Sequence, residues 1–141
     1  MRALFLYPLN ALIQSQRERL HAWTARFDDG IRFCLYNGNT DEKAPKHERD
    51  TAPNQVIDRE TLRASPSPIL VTNATMLEYM LVRQVDSPIL EISRQQQSLR
   101  WIVLDEAHTY VGSQAAEISL LLRRVVQSFG RQSEQIRFIA T

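Results

Sequence analysis

A parallel-sheet α/β fold is predicted by two features of this 141-residue chain. Five short apolar runs alternate with stretches of helical periodicity, and nearly every distinctive polar residue falls just after an apolar run ends. Strands alternating with helices imply βαβ units, whose right-handed crossovers place helices on both faces of one sheet. In such sheets, ligands bind in the crevice outside the strands' C-terminal ends.

The apolar runs are Ala3–Tyr7, Ile31–Tyr36, Ile69–Thr72, Trp101–Leu104 and Ile136–Ala140, all of strand length. Between them, Asn10–Phe27 carries Leu12, Ile13, Leu20 and Trp23 on a helical pattern, with Trp23 expected in the core. Val56–Ala64 is a shorter helix candidate. Asn73–Arg83 sets Met76, Leu77, Met80 and Leu81 at helical spacing, with Asn73 as N-cap. Gln114–Phe129 gathers Ile118, Leu121, Leu122, Val125 and Val126 on one face, and Gly130 is suited to stop it. Asn39–Asn54 is polar and aperiodic and reads as an exposed loop. Asp86–Ser98 fits neither pattern.

Composition narrows the function classes. Apolar content of 43% and charged content of 23% suit one globular domain over 1–141. A net charge of +1 excludes a polybasic or an acidic tail. Of the 17 basic residues only Lys43 and Lys46 are lysine; arginine suits forked contacts to phosphate but is also ordinary surface. Cys34 is the only cysteine, so no disulfide can form within the chain, and its apolar flanks predict a buried, inert thiol. His21, His47 and His108 lack metal-ligand spacing. No apolar stretch is long enough to span a membrane, and the expected location is the cytoplasm.

The most informative stretch is Trp101-Ile-Val-Leu104 followed by Asp105-Glu106-Ala107-His108. A carboxylate at a strand tip can hold Mg²⁺, and the next can orient and deprotonate an attacking water. His108 would lie in the same loop. The plain alternative is a helix N-terminus decorated with acids, which the helix dipole favours. From average composition the pattern arises by chance in roughly one chain in several thousand of this length.

Asp105-Glu106-Ala107-His108 matches the DEAH form of the Walker B motif in superfamily 2 DEAD/DEAH-box helicases. Tyr7-Pro8-Leu9-Asn10-Ala11-Leu12, with Gln14 and Gln16, resembles that family's motif Ia. Tyr36-Asn37-Gly38-Asn39-Thr40 resembles the glycine-containing strand end that follows it. Ile69–Leu77 resembles motif Ib, and Ala140-Thr141 the end of motif III. The order is the family's, and the Lhr-like and MrfA-like DNA helicases are the branch it resembles. The resemblance implies a RecA-like (P-loop NTPase) domain using ATP and Mg²⁺. Asp105 would be the Mg²⁺ ligand, Glu106 the activator of water, and His108 a coupling residue, with Asp105, Glu106 and Thr141 at the nucleotide. Pro8, Asn10, Gln16, Arg17, Gly38, Thr72 and Asn73 would hold the backbone of a nucleic-acid strand, DNA being favoured by the branch alone. The plain alternative for Asn10 and Asn73 is that they cap helices.

A Walker A loop needs Gly-Lys-Ser/Thr, but Glu42 precedes one lysine and Pro45 the other. The expected domain is therefore partial, lacking the Walker A strand-loop-helix. Its partners would be an N-terminal P-loop segment and a second RecA-like domain, with no membrane involved. The chain reads as the interior of a larger helicase, inactive when isolated. Ile139 stands where motif III usually opens with Ser or Thr. Two rivals remain: a non-catalytic nucleic-acid-binding or scaffold remnant, and a metal-dependent hydrolase using Asp105, Glu106 and His108.

Overall fold

The structure, a computed structural model, describes residues 1–27 and 30–141. Six strands form one all-parallel sheet in the order β3-β2-β4-β1-β5-β6. They are β1 (Ala3–Leu6), β2 (Phe33–Leu35), β3 (Gln55–Val56), β4 (Ile69–Thr72), β5 (Trp101–Leu104) and β6 (Arg137–Ala140). The helices are α1 (Asn10–Ser15), α2 (Arg17–Thr24), α3 (Lys46–Thr51), α4 (Arg59–Ala64), α5 (Ala74–Val82), α6 (Ser87–Gln95) and α7 (Ser113–Ser128). The predicted α/β class is the observed one. Among the described residues no helix is long and apolar enough to cross a membrane.

The central strands are apolar along their length because both faces are covered. Leu4 pairs in register with Leu70 on one side and Ile102 on the other, all fully buried. That layer meets Leu62, Met76, Leu77, Met80, Ile89, Ile118, Leu121 and Val125 from α4 to α7. On the opposite face Phe33, Leu35 and Val71 pack with Ile13 and Leu20 from α1 and α2. β6 is an edge strand, and all four of its residues are exposed.

Several expectations need correction. The helix expected over Asn10–Phe27 breaks at Gln16, whose N–H bonds to Ile13 O in a tighter turn, and a 3-10 turn closes it at Ala25–Phe27. α2 then turns Leu20 and Thr24 inward and leaves Trp23 63% exposed, under the Arg19 guanidinium, so Trp23 is not core. Val56–Ala64 is not one helix: it contains the end of β3, then α4, capped by Asp58 Oδ1 on Thr61 N at 2.7 Å. Asn39–Asn54 holds α3, and Asn54 is buried, donating to Thr24 Oγ1. The ambiguous Asp86–Ser98 holds α6, with Pro88 in its first turn and Ile89 and Ser93 buried. Asn73 caps α5 as expected, its Oδ1 accepting from Met76 N at 2.8 Å. Gly130 ends α7 at φ +64, a conformation that favours glycine. Cys34 is fully buried, and burial raises its thiol to about 12, with Asp58 adding to the effect.

One polar network ties the tip of β2 to the helical layer. Tyr36 donates its hydroxyl to Asp86 Oδ2 at 3.0 Å and accepts from Arg59 Nη1 at 3.0 Å. Arg59 also donates to the carbonyls of Asn37 and Thr40, which pins the turn carrying Gly38. Arg63 donates to the other Asp86 oxygen at 2.8 Å and pairs with Glu42. Asp86 is fully buried. Burial pushes the Tyr36 hydroxyl up to about 12, with the Asp86 charge adding to it and Arg59 opposing it.

Removing the buried acid leaves Arg63, and Arg83 3.8 Å from the same carboxylate, under-partnered. Asp86→Ala is expected to lower stability by about 3 kcal/mol in urea unfolding, and Tyr36→Phe by about 1 kcal/mol. Equal, small effects from the two would show that the network carries no weight.

Candidate functional site

The parallel register brings the ends of four strands to one rim. Thr72, Leu6, Leu104 and Ala140 form one row across β4, β1, β5 and β6. The hydrogen-bond ladder continues one step further: Tyr7 N bonds to Thr72 O, Asp105 N to Leu6 O, and Thr141 N to Leu104 O, at 2.9 to 3.0 Å. Asn73, Tyr7, Asp105 and Thr141 therefore follow one another along the same rim.

At its β5–β6 end, Thr141 Oγ1 donates to Asp105 Oδ1 at 2.6 Å, and Ala107 N bonds to Thr141 O at 2.8 Å. Glu106 takes a left-handed backbone, φ 53 and ψ 41, which is uncommon for a residue with a side chain and locally strained. That conformation starts a 3-10 turn, Ala107–Thr109, closed by Thr109 Oγ1 and N on Glu106 O and by Tyr110 N on Ala107 O. The Glu106 carboxylate is exposed, and His108 Nε2 lies 3.4 Å from it. The three residues thus share one turn, in which Asp105 is oriented by β6 and Glu106 faces outward. The plain alternative, acids on a helix N-terminus, does not hold, because α7 begins only at Ser113. Burial and the Asp105 charge together raise the Tyr7 hydroxyl's pKa.

At the other end, Asn73 Nδ2 donates to Asn10 Oδ1 at 2.6 Å, joining two of the expected strand-gripping residues. Asn10 does not cap α1; Leu9 occupies that position, and no side chain bonds there. Thr72 is a correction: it is fully buried, and its hydroxyl is donated to Tyr36 O at 2.7 Å, so it ties β4 to β2 and does not face a ligand. Pro8 is half-buried beside Asn10. Two clefts open from this region. One of about 510 Å³ runs from Pro8, Asn10 and Asn73 to Tyr110 and Glu117. Another of about 580 Å³ holds Gln14, Arg17, Asn37 and Asn39, flanking the exposed Gly38 and the half-buried Gln16. Pro8, Asn10 and Asn73 thus meet in the first cleft, while Arg17 lies in the second, beside Gly38 and Gln16.

Sequence reasoning missed Tyr110. Its hydroxyl is buried and, among the described residues, has no hydrogen-bond partner. Tyr110 lies on the loop between the 3-10 turn and α7, where no periodicity singles it out. Among the described residues, no three of His, Cys, Asp and Glu converge on a metal-sized site. The sites the residues do offer are oxygen donors: one half-buried carboxylate oriented by a hydroxyl, with an exposed carboxylate next to it. That donor set fits Mg²⁺, which takes one or two carboxylates, keeps waters and draws its remaining oxygens from phosphate.

A model of the DEAD/DEAH box helicase family matches residues 1–141. The Druantia protein DruE of Escherichia coli (strain UMEA 4076-1) is 38% identical over 78 residues, covering 52% of this chain and 4% of that protein. The uncharacterized ATP-dependent helicase YprA of Bacillus subtilis (strain 168) is 28% identical over 132 residues, covering 92% of this chain and 15% of that protein. Among solved structures, the DUF1998 helicase MrfA superposes with a TM-score of 0.69 at 26% identity, over 99% of this chain and 19% of that one. The Mycobacterium smegmatis helicase Lhr, bound to ssDNA and AMP-PNP, gives 0.68 at 19% identity, over 99% of this chain and 16% of that one, a likeness of fold. The RecA-like fold expected from the motifs is the one these structures share. The chain spans less than a fifth of each of these proteins.

Proposed function

This chain belongs to the DEAD/DEAH box helicase family, and from that premise we propose that it is part of an ATP-dependent DNA translocase. In this reading one rim serves both the nucleotide and the strand. The observation that carries it is the continuous row Asn73, Tyr7, Asp105 and Thr141, with the Asn10–Asn73 pair at one end and the Thr141–Asp105 pair at the other. DNA is the proposed strand because MrfA, solved bound to DNA and AMPPNP, is 26% identical to this chain.

Asp105 would hold Mg²⁺, with Thr141 fixing the carboxylate's orientation. Bound Mg²⁺ supplies charge neutralisation for the phosphates of ATP. Glu106 would orient a water and accept its proton, and the exposed position of its carboxylate leaves room for that water. His108, within reach of Glu106, would restrain it. Pro8, Asn10 and Asn73 would meet the phosphodiester backbone with neutral groups that hold a strand without reading its sequence. Gln16, Arg17 and Gly38 would continue that contact along the second cleft. Thr72 would support this surface from beneath.

The grip on the triphosphate is the part these residues do not provide. Neither lysine follows a glycine, and the exposed edge of β6, with Phe138 and Ile139 uncovered, supports pairing with a further strand that brings a phosphate-binding loop. The domain over 1–141 would then be completed by that segment and by a second RecA-like domain.

The isolated chain should bind single-stranded DNA yet show no ATP turnover above background in a phosphate-release assay; turnover abolished by Glu106→Gln would contradict its incompleteness. In a polypeptide that joins the chain to a phosphate-binding loop and second lobe, Glu106→Gln should lower hydrolysis at least about 100-fold with strand affinity unchanged. Asn73→Ala should do the reverse, weakening strand binding and lowering stability by about 1 kcal/mol through the lost cap. Hydrolysis that is indifferent to Glu106 would end this reading.

A further inference from the structure

The cleft of about 510 Å³ runs from the Asn10–Asn73 end of the proposed site to Thr109 and Tyr110, the residues that follow the acidic turn. Asn73, Thr75 and Glu78 line it from the start of α5, Gln114 and Glu117 from the start of α7, and Tyr110 stands between. Tyr110 is half-buried against the main core cluster, so its ring is held by the same packing that positions α5 and α7. Its backbone N–H closes the 3-10 turn that carries His108 and follows Glu106. Ring and turn are therefore one mechanical unit.

Two features of this unit are unfavourable as it stands. The Tyr110 hydroxyl has left water without gaining a protein partner among the described residues, and Glu106 holds a left-handed backbone. Strained backbone clusters at ligand clamps and switch regions, and a buried polar atom without a partner calls for an explanation of its own. The cleft's chemistry indicates what supplies the relief. Glu78 pairs with Arg124 at 3.9 Å, whereas Glu117 has no cationic partner among the described residues. Phosphate is therefore disfavoured inside the cleft and belongs at its asparagine mouth, and the interior suits the donor groups of a sugar or base.

We propose that Tyr110 is a positioning residue: a nucleotide of the bound strand, its phosphate at Asn10 and Asn73, completes this cleft, satisfies the buried hydroxyl and thereby resets the turn carrying Glu106 and His108. The inference rests on the strand-binding reading above. It adds the residue and the route by which strand occupancy reaches the acidic turn.

The test titrates the ¹⁵N-labelled chain with a short oligothymidylate and follows backbone amides. In the native chain, shifts should appear at Asn73 and Thr75 and also at Glu106, Ala107 and His108. In Tyr110→Phe the first group should persist, the second should vanish, and affinity should fall about three- to ten-fold. The variant's melting temperature should equal or exceed the native value, because only an unpartnered atom is removed. Full shifts at Glu106–His108 in the variant, or a lowered melting temperature, would overturn the proposal. Shifts at Asn73 with none at Glu106–His108 in the native chain would overturn it while leaving strand binding intact. No shift at Asn73 would overturn both.

Discussion

The arrangement depends on one constraint: β4, β1, β5 and β6 pair in parallel with no stagger at their C-terminal ends. Parallel pairing is directional, and its side-chain period of two means that a one-residue slip would turn every buried side chain to the other face. Leu4, Leu70 and Ile102 lock the register, because each is fully buried in the same layer. With that register fixed, the polar residues that follow each strand have no freedom to be elsewhere. Asp105 must meet Thr141, and Asn73 must stand near Asn10.

The price of that rim is local strain, and it falls on the turn after β5. An apolar strand that ends in two acids leaves the first beside β6 and must turn sharply to send the chain away. Glu106 takes the left-handed conformation that the turn requires. The opposite side of the rim is held differently, by the Arg59–Tyr36–Asp86–Arg63 network, which stiffens the Gly38 turn through side chains rather than backbone strain. A rigid strand-binding side facing a strained acidic turn is a physically sensible division: one side holds a ligand, and the other can respond to it.

Much of this was legible in the sequence, for identifiable reasons. β4 and β5 coincide with their apolar runs because buried parallel strands carry no polar interruptions. α5 and α7 were legible because their apolar residues repeat at helical spacing over more than two turns, with a cap or a stop at one end. What escaped detection was short or non-local. β3 has two residues and no room for a pattern. α3 is a single polar stretch with no buried face. The apolar spacing points Trp23 inward because the break at Gln16, which rotates α2, leaves no mark on it. The Tyr36–Asp86 bond joins residues 50 apart in the chain, and nothing local announces it. At the site, the acids' place at a strand tip follows from the apolar run Trp101–Leu104 that ends in them. The burial of Thr72 and the unpartnered Tyr110 hydroxyl depend on what lies across the sheet, and only coordinates reveal that.

The most direct test of the central register is chemical. In a Cys34→Ala background, Asp105→Cys combined with Thr141→Cys places two thiols on side chains that touch across β5 and β6. Mild oxidation should give an intramolecular disulfide in essentially all molecules, with the thermal unfolding transition retained. Failure to cross-link in a folded chain, or cross-linking only after denaturation, would mean that Asp105 and Thr141 are not neighbours and that the rim described here does not exist.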